Sequence, residues 1–222
     1  MEKKNIQVNK LAYAAIFAAL AILIGYLEIP WPLTPWLKLD FSEVVVLISF
    51  ITIGFSYTGA VIIVRSVIRW IISGNNANLV PFFGEFMAIT ASLFIVLIYI
   101  LATIITKTRT KPLLDLNRSG EEAPKMTILQ MVINGLIVTV GITLYMTVFN
   151  YLVATPIYVS SGKHLYMGSF IKDSNFAFIH KDNLWAYTVF TITSYVPFNA
   201  VKGILSMLAF ETIRLRIRSV KL

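Results

Sequence analysis

Tyr195-Val196-Pro197-Phe198-Asn199-Ala200-Val201-Lys202-Gly203 lies inside the last long apolar stretch, Ala186 to Phe210, and carries polar groups where a plain membrane anchor would have none. On a helix Asn199 and Lys202, three positions apart, share a face, and Pro197 frees a backbone carbonyl one turn earlier. An ammonium and an amide turned toward lipid would each cost several kcal/mol, so both must point inward, at a partner, a cavity or a ligand. The rest of the chain has to build that interior.

It does so with apolar helices. Of 222 residues, 57% are hydrophobic and 14% charged, an apolar share above that of soluble domains. A span takes about 20 apolar residues. The candidates are Leu11 to Leu27, Phe41 to Phe55, Tyr57 to Ile72, Phe82 to Thr106, Ile128 to Ala154 and Ala186 to Phe210. The expected fold is an all-α integral membrane protein of six transmembrane helices, a single domain over residues 1–222. Six spans leave no stretch long enough for a water-phase domain with its own core, so any ATP hydrolysis must come from partners. The lack of cysteine excludes disulfides, thiol catalysis and thiolate metal sites. His164 and His180, both in one loop, do not amount to a metal site. The net charge of +8 does not argue for nucleic acid, because the basic residues flank apolar spans, where they set topology.

Lys3, Lys4 and Lys10 precede the first span; Lys107, Arg109, Lys111, Arg118 and Lys125 lie between the fourth and fifth; Arg214, Arg216, Arg218 and Lys221 follow the sixth. With six spans all three groups fall on one side. Both termini are therefore expected in the cytoplasm, with Glu28 to Asp40, Ser73 to Pro81 and Thr155 to Trp185 outside. The apolar run after Lys10 lacks a small-residue cleavage site and reads as a span rather than a secretory signal.

Several polar or small residues stand out. Ala14, Ala15, Ala18 and Ala19 form two overlapping Ala-x-x-x-Ala pairs in the first span, which admit another helix closely, either a partner's or one of this chain's own. The first outer loop holds Pro30, Pro32 and Pro35, which keep it extended, and Trp31 and Trp36, which suit either an interfacial belt or a lid over a ligand. Asp40 with Glu43 resembles a capping box opening the second span. Arg65 and Arg69 share a face of the third span and need carboxylates, water or lipid phosphate, with Glu85 and Glu43 as candidate partners and direct substrate contact as the alternative. Asn150, near the outer end of the fifth span, sits at about the depth of Asn199. Either amide could simply bond a neighbouring helix, but two amides and a lysine at one level suit a ligand bearing donors and acceptors. Phosphate-loop, nucleophile-elbow, zinc-helix and dinucleotide motifs are missing, and no acidic pair lies buried in a span for ion coupling. Glu85 with Arg65 is the only weak catalytic candidate, so no enzyme is expected.

Leu39-Asp40-Phe41-Ser42-Glu43-Val44-Val45-Val46-Leu47-Ile48, Ile63-Val64-Arg65-Ser66-Val67, Phe149-Asn150-Tyr151 with Pro156-Ile157-Tyr158, and Pro197-Phe198-Asn199 with Lys202-Gly203 together resemble the substrate-binding S-components of energy-coupling factor (ECF) vitamin transporters, most closely the riboflavin-specific ones. The resemblance runs over almost the whole chain. It implies the S-component fold and a high-affinity membrane subunit that captures a vitamin without chemistry and without a cofactor of its own. It further implies docking through Ala14, Ala15, Ala18 and Ala19 onto the transmembrane coupling protein EcfT, driven by two ATPase subunits, in a bacterial cell membrane. The positions matching the family's vitamin contacts are Asn150, Asn199 and Lys202, with Trp36, Leu39, Asp40 and Phe41 of the first loop closing over the ligand and Glu85 nearby. Arginine stands where many relatives have lysine in the third span, Ile48-Ser49-Phe50-Ile51-Thr52-Ile53 replaces a glycine-rich stretch, and the last outer loop is longer. Pantothenate, a thiamine-precursor pyrimidine or pyridoxine are alternative ligands within the fold. A stand-alone facilitator is an alternative of another class.

Overall fold

The six expected spans fold as six helices of unequal length. The computed structural model describes residues 2–32, 34, 37–73, 79–109, 111–122, 125–173 and 183–217. Trp36, the loop asparagines Asn75, Asn76 and Asn78, His180, Arg218 and Lys221 lie outside the described residues. In chain order the elements begin with α1 (Glu2–Gly25) and a two-residue antiparallel hairpin of β1 (Ile29–Pro30) and β2 (Lys38–Leu39), which pairs Ile29 with Leu39. Next come α2 (Ser42–Ile53), α3 (Phe55–Ile72), α4 (Leu79–Ile105) and the short α5 (Leu113–Ser119). Helix α6 (Ile128–Phe149) runs on through a π-helical turn, Asn150–Ala154, into α7 (Thr155–Val159); α8 (Met167–Asp173) and α9 (Leu184–Ile217) follow.

The helices α1, α3, α4, α9 and the continuous α6–α7 run are long and apolar enough to cross a membrane. The second expected span, Phe41 to Phe55, is not. Twelve residues of α2 rise only about 18 Å, against about 30 Å of hydrocarbon. Its far end is set by Gly54, whose φ of 88° and ψ of 171° belong to a region that only glycine occupies at low cost. The turn into α3 is therefore a single residue. At its near end the sequence turns polar, with Asp40, Ser42 and Glu43 lying inside the bundle rather than at its rim.

Because α2 is apolar on all sides it sits at the centre of the bundle. Val46 and Leu47 pack with Ile62 of α3, Val96 of α4, Val138 of α6 and Phe210 of α9 in one buried cluster. Helices α6 and α9 lie side by side and approach closely at Gly203, where an added Cβ would meet Thr139 Cα at 3.2 Å. Small residues permit such approaches where lipid supplies no hydrophobic drive. The N-terminus of α6 is fixed by a capping box. Thr127 Oγ1 accepts from the Gln130 amide at 3.2 Å, and Gln130 Oε1 accepts from the Thr127 amide at 2.9 Å. Pro197 sits inside α9 without ending it.

The alanines of α1 divide between two faces. Ala14 and Ala18 are buried against Ile53 and Val61, whereas Ala15 and Ala19 are exposed. The expectation of one four-alanine docking face is corrected accordingly: successive residues turn by about 100°, so only the Ala15–Ala19 pair remains outside. Within the segment between α7 and α9, Phe170 of α8 is buried against Tyr187 and Phe190 rather than solvated. Near the chain start, Lys10 Nζ pairs with Asp115 Oδ1 at 2.7 Å and ties α5 to α1.

Replacing Gly54 by alanine would force a side chain into the glycine-only region and bring its Cβ to 3.0 Å from Pro112 Cγ. Gly54→Ala is expected to cost about 1 to 3 kcal/mol, read as a lower unfolding temperature in detergent; an unchanged transition would mean that the turn relaxes freely.

Candidate functional site

Where the hairpin meets α2, α3 and α9, polar groups collect inside the bundle. Lys202 of α9 places its Nζ 2.9 Å from Asp40 Oδ2 and 3.3 Å from Glu43 Oε2. Asp40 Oδ1 also accepts from the Ser42 amide at 3.0 Å and from the Ser42 hydroxyl. Burial pushes the Asp40 carboxyl up, but the Lys202 ammonium and the two Ser42 bonds outweigh it and hold the group well below the usual carboxylate range.

Arg65 is fully buried and donates to Ser42 Oγ at 3.2 Å, Ser92 Oγ at 3.1 Å and the Ala88 carbonyl at 3.2 Å. One turn on, Arg69 lies 3.3 Å from Glu28 Oε1 and 3.3 Å from Glu85 Oε1, with its guanidinium over the Tyr26 ring. Lys38 of the hairpin also pairs with Glu28. Glu28, Asp40, Glu43 and Glu85 thus face Lys38, Arg65, Arg69 and Lys202, the near balance that ions taken out of water require.

Two expectations change here. Glu85 meets Arg69 as read from the sequence, but the Nη groups of Arg65 go to serine hydroxyls and a carbonyl rather than to a carboxylate, because Ser42, Ser66 and Ser92 line its path, and its Nε is left without a partner. The capping box at Asp40 and Glu43 does not form. Phe41 is the N-cap of α2 and makes no side-chain cap bond, and Glu43 turns to Lys202 instead. A carboxylate offered a buried ammonium gains more from it than from one backbone amide.

Asn199, one turn before Lys202, is buried, and its Nδ2 finds no hydrogen-bond partner within the protein. Beside it Phe198 meets Trp31 of the hairpin edge-on, with centroids 5.6 Å apart and planes at 72°. Trp31 Nε1 and Thr34 Oγ1 are also buried without a protein partner. Buried donors left this way cost about 1 to 3 kcal/mol each, so the place asks for acceptors from elsewhere. Asn150 opens the π turn and is buried; its Nδ2 is engaged by its own helix, donating to the Met146 carbonyl at 2.6 Å. Nearby, Phe83 stacks on Phe149 at 6.2 Å, with Tyr158 edge-on, over Met87, Ala154 and Ile157. Leu39 is buried in β2 and Phe41 half-buried against the central core.

Sequence reasoning missed Glu28 and the serines, and read Glu43 as a cap or as a partner of Arg65 and Arg69 rather than of Lys202. The signal that was there is the lysine itself: a buried ammonium requires carboxylates, and Asp40 with Glu43 offers two on one side of a helix start. Among the described residues no group of three or more His, Asp or Glu side chains is placed to hold a metal. The arrangement orders charges and presents donors under a hairpin, which is the chemistry of binding.

A family described as the substrate-specific component of ECF transporters matches residues 9–214. The chain belongs to that family. This substrate-specific component is a multi-pass membrane protein, and among its relatives is the riboflavin transporter RibU of Streptococcus thermophilus, 27% identical over 96% of this chain and 84% of the relative. Another is the riboflavin transporter FmnP of Bacillus subtilis, 24% identical over 96% of this chain and 93% of that protein. Its fold is that of a solved S component of a bacterial ECF transporter, with a TM-score of 0.65 at 20% identity, covering 96% of this chain and 97% of the other. The S-component fold read from the sequence is thereby established.

The lysine at the centre of the site gives a direct test. Lys202→Met leaves Asp40 and Glu43 buried without their cation and is expected to destabilise the protein by about 3 to 5 kcal/mol. Adding Asp40→Asn to Lys202→Met is expected to restore part of that loss in thermal unfolding; additive losses would show that the pair is not coupled.

Proposed function

We propose that this substrate-specific component binds riboflavin from outside the cell and delivers it to an ECF module. The observation that carries the reading is the pair of buried, unpartnered donors, Asn199 Nδ2 and Trp31 Nε1, joined at the Phe198–Trp31 contact and one turn from Lys202. A flavin suits such a place because it carries carbonyl and ring-nitrogen acceptors along one edge and an apolar ring system behind them. The stacked Phe83 and Phe149 with Tyr158 offer a surface for that ring. Asn150, Asn199 and Lys202 are the groups proposed to read the polar edge, Leu39, Asp40, Phe41 and Trp36 to close over it, and Glu85 to hold its side of the site through Arg69. The riboflavin transporters of two other bacteria, similar over nearly the whole chain, support the choice of ligand.

The partners proposed are the transmembrane coupling protein EcfT and two ATPases, since this chain has no nucleotide motif of its own. Both termini are proposed to lie in the cytoplasm of a bacterial cell, following the basic loops. The docking face on α1 is narrowed to Ala15 and Ala19, the exposed pair.

Purified protein titrated with riboflavin is expected to show saturable quenching of tryptophan fluorescence at one ligand per chain, and protein from rich medium to absorb between about 350 and 500 nm, where flavins absorb. Asn199→Ala is expected to weaken binding by about 1 to 3 kcal/mol, the worth of a buried hydrogen bond. A colourless protein without quenching would remove riboflavin and turn the search to pantothenate or a pyrimidine by mass spectrometry of what co-purifies.

Ala15→Phe or Ala19→Phe is expected to abolish uptake in cells that carry the module while leaving the titration unchanged. Ala18→Phe, in the buried stripe, should instead lower stability. Uptake retained with both exposed alanines enlarged would place docking on another face.

A further inference from the structure

The opposite end of the bundle holds a second cluster that vitamin binding does not use. Between the Gly54 turn, the end of α4, the segment leading into α5 and the last turns of α9 lies a cavity of about 200 Å³. It is separated from Asp40 by the full length of α2 and shares no residue with the site above. Its walls are largely apolar, with Phe50, Phe55 and Ile100 among them, and its cations are Arg109, Lys111 and Arg214. Arg214 is 7% exposed, yet its Nη2 has no hydrogen-bond partner within the protein. Its Nη1 reaches Tyr99 Oη at 3.3 Å and Met126, and its Nε lies 2.8 Å from Glu211 Oε2.

The acidic groups facing these cations are few. Glu211 lies against Arg214, and Glu121 pairs with Lys111 at 3.0 Å on the exposed side. Arg109 is exposed and has no ion-pair partner among the described residues. One donor face of a buried guanidinium and one whole guanidinium at the rim are therefore left for an anion. A guanidinium recognises phosphate by parallel N–H donors. Phe55 lines the cavity and is itself 46% exposed, and α4, whose Ile100 and Thr103 also line it, exposes Leu101, Ile104 and Ile105 at the same end. The cavity thus opens at a rim where apolar surface and positive charge meet.

We propose that this cavity binds the phosphate of an anionic phospholipid from the leaflet at the terminus-bearing end of the bundle. Arg214 is the inner donor and Arg109 the outer one, and the glycerol and first acyl carbons rest on Phe50, Phe55 and Ile100. A free inorganic anion would use the cations but gain nothing from apolar walls, and a zwitterionic lipid would bring an ammonium to a cationic rim. Both arguments favour phosphatidylglycerol-like chemistry.

The test is native mass spectrometry of the full chain released from detergent after incubation with phosphatidylglycerol or with phosphatidylcholine of the same acyl chains. Phosphatidylglycerol adducts are expected to survive and phosphatidylcholine adducts to be lost. Arg109→Gln, at an exposed position outside the vitamin site, should lower retention of phosphatidylglycerol about fivefold, the effect of one basic residue at an anionic surface. Arg214→Lys, which keeps the charge but not the planar donors, should lower it as well. Equal retention of the two lipids, retention indifferent to Arg109→Gln, or stabilisation by inorganic phosphate matching that by phosphatidylglycerol would each overturn the proposal.

Discussion

A lysine ammonium buried between two carboxylates is the constraint on which the hairpin end of this protein depends. Lys202 lies in the last helix and Asp40 at the end of the first loop, 162 residues earlier. Because neither charge can stay in an apolar bundle alone, each fixes the place of the other. The hairpin is drawn down onto α9, Trp31 is set against Phe198, and Ser42 is oriented to serve Asp40 and Arg65 together. Arg65 and Arg69 then extend the network to α4 through Ser92 and Glu85. Folding and site geometry are the same event here, since the groups that close the loop also shape what lies beneath it.

Much of the helical framework was legible because hydropathy over about 20 residues is a strong local signal. The break near Gly54 was legible too, since the expected second span ended at Phe55, but that α2 is too short to cross and starts inside the bundle depends on the distant pairing of Asp40 and Glu43 with Lys202. The alanine spacing of α1 was legible, but which pair faces inward depends on where Ile53 and Val61 sit, and that is a property of neighbours. Lys202 announced a need for carboxylates without saying which. Asp40 and Glu43 sat in plain view and satisfied a local capping pattern better than a distant pairing, so local reasoning chose the nearer partner. The π turn at Asn150 was beyond reach, as one extra residue in a helical turn leaves no mark on an apolar run.

The two ends of the bundle manage charge in different ways. At the hairpin end, cations and carboxylates pair with one another inside the protein, and the neutral donor Asn199 Nδ2 is left open. At the end carrying the termini, positive charge is in surplus and sits at the rim. A neutral, hydrogen-bonding guest suits the first end and an anionic interface the second. The fold shared with other S-components does not by itself decide what is bound; that follows from which donors are left open.

The short α2 has a consequence for distance. Asp40 and Ser42 stand only about 18 Å of helix from the Gly54 turn, so α2 and the charges at its start span little more than half of a hydrocarbon layer about 30 Å thick. The hairpin that reaches these charges pairs its own backbone, Ile29 with Leu39 and the Trp31 amide donating to the Leu37 carbonyl at 2.8 Å. The remaining thickness is thus left to a loop whose polar backbone is paired within itself, rather than to a full-length helix.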